Sequence, residues 1–95
     1  MSDGLASYLL VVDSSQTALQ KWIDEIDMMV EVVNWQKMLP DAAVLVSEQD
    51  IRQLNSLLRK VMPNKRYILV EIENGNKQGW LAKSAWKFMN NPKPA

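Results

Sequence analysis

Four short apolar runs and two helical patterns follow one another along this 95-residue chain in the order β-α-β-β-α-β. The runs are rich in β-branched and large apolar residues, which favours strands, whereas the helical patterns repeat apolar residues every three or four positions. The order is that of the ferredoxin-like sandwich, an α+β fold with two helices over one face of a four-stranded antiparallel sheet. The predicted strands are 7–13, 29–35, 42–46 and 67–73, and the predicted helices centre on 19–26 and 51–62.

Local sequence patterns indicate where the second helix begins and where the domain ends. Residues 47–50 resemble a capping box, because a serine is followed three residues later by an acid, and they predict a helix start there. Beyond the fourth strand, 80–81 read as a short strand, 82–90 as a short helix and 91–95 as a disordered tail. We therefore expect a single domain over residues 1–90 with a C-terminal strand and helix as an appendage.

The composition excludes several kinds of chemistry. The chain has neither cysteine nor histidine, so it lacks disulfides, thiolate metal sites, the commonest general base and the commonest transition-metal ligand. Any enzymatic activity would have to use carboxylates, together with a hard cation such as Mg²⁺. No apolar run is long enough to span a membrane and no secretory signal is evident, so we expect a cytoplasmic protein with no membrane partner.

Charge is distributed unevenly although the net charge is zero. Residues 1–50 carry two bases and nine acids, a balance of −7, and residues 51–95 carry nine bases and two acids, a balance of +7. Such asymmetry indicates either an interaction surface or, if folding interleaves the halves, a mixed solvated surface. The candidate nucleic-acid-binding residues, which lie next to the aromatic Tyr67 or on the helix before it, are Arg52, Arg59, Lys60, Lys65 and Arg66. They could follow a phosphate backbone, or they could be ordinary exposed helix and turn residues.

Four tryptophans divide into core and interface candidates. Trp22 lies on the apolar stripe of the first helix and is predicted to be core. Trp35, Trp80 and Trp86 could pack in the core or anchor an interface. Because the first and fourth strands are strongly apolar, a fully wet second sheet face is disfavoured, and burial against a second copy of the chain would make the protein a homodimer.

The chain resembles the small SinR-annotated proteins, relatives of the second CRISPR-associated (Cas) protein and of VapD-type nucleases. The resemblance covers residues 7–90. The matching segments are SYLLVVD at 7–13, NW at 34–35, the region 53–58, YILVEI at 67–72 and GWLAKSAW at 79–86.

This resemblance implies a ferredoxin-like fold and a homodimer formed across the sheet edges. In the nuclease members an aspartate at the end of the first strand binds a divalent cation near the dimer axis, and that catalytic and metal-binding role would fall on Asp13. Two copies of Asp13 would then hold Mg²⁺, which activates water for attack on a phosphodiester. The chain departs from the family pattern after the strand, where Val12-Asp13-Ser14 replaces a Tyr-Asp-Leu type of sequence. Alternatively, Asp13 caps the first helix.

Three functions follow as expectations. The first is a non-catalytic homodimeric scaffold or binding protein that contacts nucleic acid through the basic residues. The second is a Mg²⁺-dependent endonuclease that uses paired Asp13. The third is a small inhibitor or regulator, such as one encoded by a virus, that binds a larger protein. The lack of histidine and the few acids near Asp13 favour the non-enzymes.

Overall fold

The computed structural model describes residues 4–13, 19–73, 79 and 83–90, and the side chains of all of these except 19–21. The described elements are β1 (Ala6–Val12), α1 (Leu19–Asp27), β2 (Val32–Leu39), β3 (Ala42–Ser47), α2 (Ile51–Val61), β4 (Tyr67–Ile72) and α3 (Lys83–Asn90). None of the described helices is both long and apolar enough to cross a membrane.

The four strands form one antiparallel sheet in the order β2-β3-β1-β4. This confirms the predicted α+β fold with ferredoxin-like strand order. The two central strands are the most apolar, as expected for strands covered on both faces: all six residues of β3 are buried. The predicted C-terminal helix is present as α3, whereas the predicted strand at 80–81 and the tail at 91–95 lie outside the described residues.

One face of the sheet carries the main core. Tyr8, Leu10 and Val12 of β1 point to this face, and α1 and α2 cover it with buried side chains such as Trp22 and Leu54. Trp22 is fully buried, as the helical pattern predicts. Each large apolar side chain removed from water in this way contributes about 1.5–3 kcal/mol. Burial of the amphipathic faces of both helices therefore fixes them on the same side of the sheet.

The second face of the sheet is covered unevenly. Side chains of β3 that point away from the main core, Val44 and Val46, are fully buried. α3 contacts β2 and has Ala85 and Met89 buried, and neither residue belongs to the main core. The half of this face formed by β1 and β4 is more open, because Ile68 is 59% exposed.

Two local boundaries differ from the sequence prediction. β2 begins at Val32 rather than 29, because α1 ends at Asp27 and the backbone N–H of Val32 donates to the Met29 carbonyl in a turn. The N-cap of α2 is Asp50 rather than Ser47. Asp50 accepts from the Gln53 backbone N–H at 2.8 Å and its own N–H donates to the Gln53 side chain at 3.1 Å, which completes a capping box.

Ser47 serves the strands instead. Its hydroxyl donates to the Glu31 carbonyl at 2.7 Å and accepts from the Gln49 backbone N–H at 3.0 Å. The side chain that the sequence assigned to helix capping therefore holds the end of β3 to the turn before β2. The true capping box begins three residues later and has a glutamine in place of the acid.

Candidate nucleic-acid interface

The outer side of α2 carries a polar stripe next to β4. Arg52, Asn55 and Arg59 are exposed and lie three and four residues apart, whereas Leu54 and Leu58 face the core and are fully buried. Residues at this spacing share one side of a helix. Because α2 contacts β4, the stripe runs along the outer edge of the sheet.

Tyr67, the first residue of β4, joins this stripe to the sheet. Its hydroxyl donates to the side-chain oxygen of Asn55, with an O···O distance of 2.5 Å. Burial raises the pKa of the Tyr67 hydroxyl above its ordinary value of 10.0, and the charge of Arg59 acts in the opposite direction. Tyr67 is therefore a neutral donor near pH 7, held between α2 and the sheet.

A shallow depression lies between α2 and the start of β4. It has a volume of about 560 Å³ and is lined by Asn55, Arg59, Lys65, Arg66 and Tyr67. We call it the basic depression. Three of its five lining residues carry positive charge, and the other two are the hydrogen-bonded pair described above. Arg59 and Arg66 are exposed, whereas Lys65 is buried. The two guanidinium groups are therefore the cationic donors that the depression can present to an anionic group.

Three of the five candidate binding residues line the basic depression, and the other two do not. The basic depression brings together Arg59, Lys65 and Arg66, although they come from a helix and from the segment before a strand. Arg52 and Lys60 are exposed on α2 but do not line the depression. Arg59 and Lys60 also lie in the last turn of α2, where positive charge stabilises the helix dipole. The positive charges of Arg59 and Lys60 thus also stabilise the end of α2.

Asp13 lies immediately after β1, next to the basic depression. Its carboxylate is 3.6 Å from the Arg66 guanidinium, and its backbone N–H donates to the Arg66 carbonyl at 2.9 Å. Within the described residues, no group of three or more histidine, cysteine, aspartate or glutamate side chains is arranged to hold a metal. Among these residues, Asp13 is therefore not part of a cluster of metal-binding side chains. The residues between Asp13 and α1 lie outside the described part, so the helix-capping alternative stays a prediction.

The candidate interface tryptophans have different surroundings. Trp35 is half-buried against the main core, and its indole N–H donates to the Asp27 carboxylate at 2.8 Å. Trp86 is half-buried on α3, and Trp80 lies outside the described residues. Trp35 therefore already has a place within its own chain, where it ties β2 to the end of α1.

Sequence reasoning missed Asn55, because an exposed asparagine in the middle of a helix carries no signal of its own. Its importance depends on the packing of α2 against β4, which places it beside Tyr67, twelve residues later in the chain. The pairing of Asp13 with Arg66 was missed for the same reason. It depends on the β1–β4 register, which pairs Val12 with Tyr67.

Comparison of the chain with protein-family models, with curated proteins and with solved structures found no match. The resemblance to the SinR-annotated family consequently stays a prediction. The site must be interpreted from its own geometry.

Proposed function

We propose that this protein is a small non-catalytic binding protein of the cytoplasm, a homodimer that holds nucleic acid by its phosphate backbone at the basic depression. The observation that carries the proposal is the convergence of Arg59, Lys65 and Arg66 on one depression. Binding of nucleic acid is dominated by neutralisation of phosphates by lysine and arginine.

The chemistry of the depression suits phosphate oxygens. Arginine offers a planar set of donors that matches phosphate, and Arg59 and Arg66 are both exposed. Lys65 is buried and adds positive charge to the lining of the depression. The Asn55 side-chain oxygen already accepts from Tyr67, so its amide nitrogen is oriented as a further donor. With a net charge of zero for the whole chain, attraction of a polyanion must come from this local field rather than from the overall charge.

The surroundings of Asp13 support a non-catalytic role. Its carboxylate pairs with the guanidinium of Arg66, which opposes binding of a second cation at the same oxygen by charge repulsion. The chain also lacks histidine, the commonest general base.

The test is a binding titration with fluorescently labelled single- and double-stranded DNA and RNA. The double variant Arg59→Gln/Arg66→Gln removes two charges from the depression, and Lys83→Gln/Lys87→Gln removes two exposed charges from α3 as a matched control. We expect the first variant to bind at least about tenfold more weakly and to reduce the slope of log affinity against log salt by about 1.5, since two phosphate contacts are lost.

Equal effects of the two double variants would contradict the site, because they would mean that only total charge matters. No retention of any nucleic acid at low salt would contradict the function and favour the regulator of a larger protein.

The nuclease is a second candidate, because Asp13 is 31% exposed and lies beside the same depression. The same titrations, run with Mg²⁺ and with a chelator, would be read for cleavage. Metal-dependent cleavage that disappears in Asp13→Ala would establish the nuclease. Cleavage that survives in this variant would point to a contaminant.

A further inference from the structure

The outer strand β4 exposes apolar side chains on the second face of the sheet. Ile68 is 59% exposed and Val70 is 45% exposed. Leu9 and Val11 of β1, which lie across from Val70 and Ile68 on the same face, are only half-buried. These residues form a contiguous apolar strip rather than isolated surface side chains, and such strips mark interaction surfaces.

Within the described residues, the outer edge of β4 is regular and pairs with no further strand. The strand pairs with β1 through six consecutive residue pairs without a bulge, and β1 is its only neighbour among the described strands. The segment contains no proline. An uninterrupted outer strand presents unpaired N–H and C=O groups to solvent and is able to pair with another strand.

Charge along β4 has opposite signs at its two ends. Lys65 and Arg66 precede the strand, whereas Glu71 and Glu73 lie at its end and just beyond it. When two identical strands pair in antiparallel fashion, the start of one meets the end of the other. The basic start would then lie next to the acidic end in both halves of the pair, so the strand is complementary to itself in charge.

We propose that β4 pairs with β4 of a second copy of this chain about a two-fold axis, which joins the two sheets into one of eight strands. Directly opposite side chains in an antiparallel pair share a face. The apolar strips of the two copies become continuous when Val70 lies opposite Val70 of the partner subunit. In this register Ile68 lies opposite Ile72 of the partner subunit.

The pairing has consequences for the other candidate sites. Tyr67 lies opposite Glu73 of the partner subunit, so the interface between the two β4 strands runs along one side of the basic depression. Lys65 and Arg66 remain at the end of the sheet.

The two copies of Asp13 are far apart in this dimer. Asp13 lies beside Arg66, and Arg66 is eight strand positions from Arg66 of the partner subunit along the interface. At a rise of about 3.4 Å per residue, the two copies of Asp13 are at least about 27 Å apart. They cannot share one Mg²⁺ ion in this dimer.

The test is a charge swap at the two-fold axis, read by sedimentation velocity over about a hundredfold range of concentration. The wild-type chain should dimerise. Val70→Lys and Val70→Glu should each weaken dimerisation by about 100-fold, because each places two like charges opposite one another in an apolar strip. An equimolar mixture of the two variants should restore a dimer.

Val30→Lys is the matched control, because Val30 is 85% exposed in the turn before β2 and the substitution adds the same charge. It should leave dimerisation unchanged. Circular dichroism melting of the Val70 variants checks that the monomer stays folded, as the exposure of Val70 leads us to expect.

A wild-type chain that is monomeric throughout overturns the proposal, and so does a Val70→Lys variant that dimerises like the wild type. Failure of the mixture to form a dimer would show that Val70 is not at the two-fold axis, and would overturn the register. Arg59 lines the basic depression but lies on α2, outside β4 and its flanking charges. Loss of nucleic-acid binding in Arg59→Gln with unchanged sedimentation would therefore leave the dimer proposal intact, so nucleic-acid binding and dimerisation fail separately.

Discussion

The two outer strands of the sheet are protected to different degrees. β2 has register irregularities at Val32/Asn34 and Lys37/Leu39. The backbone N–H of Trp35 donates to the Asn34 side chain at 2.9 Å, so this group is satisfied without another strand. Among the described residues, β4 has neither device. Bulges and local side-chain bonds are ways in which proteins prevent edge-to-edge pairing. In this part of the chain, the edge of β2 is thus closed by its own chain, whereas the edge of β4 is not.

The two outer strands are also bonded to different helices. β2 is tied to the end of α1 by the bond from the Trp35 indole to Asp27. β4 is tied to α2 by the bond from Tyr67 to Asn55. The first bond anchors an edge that is already closed, whereas the second lies next to the basic depression and leaves the apolar side of β4 unaffected. Both proposals therefore place partner binding on the β4 side of the molecule.

The largest expected effect is that of Leu54→Ala, which should weaken the support of β4 by α2. Leu54 is fully buried, so its truncation leaves a cavity and should lower the free energy of unfolding by about 3 kcal/mol in a urea titration. Leu57→Ala, at a half-buried position of the same helix, should cost clearly less. Equal losses for the two variants would contradict the described packing of α2.

Tyr8→Phe tests the central strand that both halves of the sheet share. The Tyr8 hydroxyl donates to the Gln49 carbonyl at 2.7 Å, and its removal should cost about 1 kcal/mol at neutral pH. Burial, followed by the charges of Glu71 and Asp50, raises the pKa of Tyr8 above 10.0.

The sign of the pH effect follows from that shift. Because the folded-state pKa lies above the unfolded value, the stabilisation by neutral Tyr8 is complete below pH 10 and is lost as the pH rises through the folded-state pKa. Tyr8→Phe should therefore lose stability less steeply with pH above 10 than the wild type does. Parallel stability curves over that range would show that Tyr8 is not shifted.

The smallest expected effect comes from Trp35→Phe at the closed edge. The substitution keeps an aromatic ring but removes the donor to Asp27, in a bond that is exposed to solvent, and should cost about 0.5–1 kcal/mol. A double-mutant cycle with Asp27→Ala, which removes the acceptor, isolates the interaction. A coupling energy of zero would mean that this bond does not hold β2 to α1.

Much of the fold could be predicted from the sequence, because local patterns determine it. The burial of Trp22 and the order of the elements follow from apolar periodicity, which is a property of short segments. The sequence places the start of β2 too early, because Met-Val-Glu-Val at 29–32 is equally compatible with a strand and with a turn whose Met29 side chain is buried.

The candidate site was only partly predictable. Clustering of bases identified Lys65 and Arg66, but their meeting with Arg59 depends on how α2 packs against β4. The exposure of Ile68 and Val70 is not predicted by the sequence, because the continuous apolar run at 67–70 is typical of a strand covered on both faces. Which half of the second face is covered within the chain is decided by tertiary packing.

Amide hydrogen exchange of β4, compared with β2 at low and high protein concentration, tests the central claim most directly. We predict that alternate amides of β4, those pointing away from β1, become protected as concentration rises, while protection of the Trp35 amide in β2 stays constant. Concentration-independent exchange along β4 would contradict the account, and so would a rise in protection confined to β2.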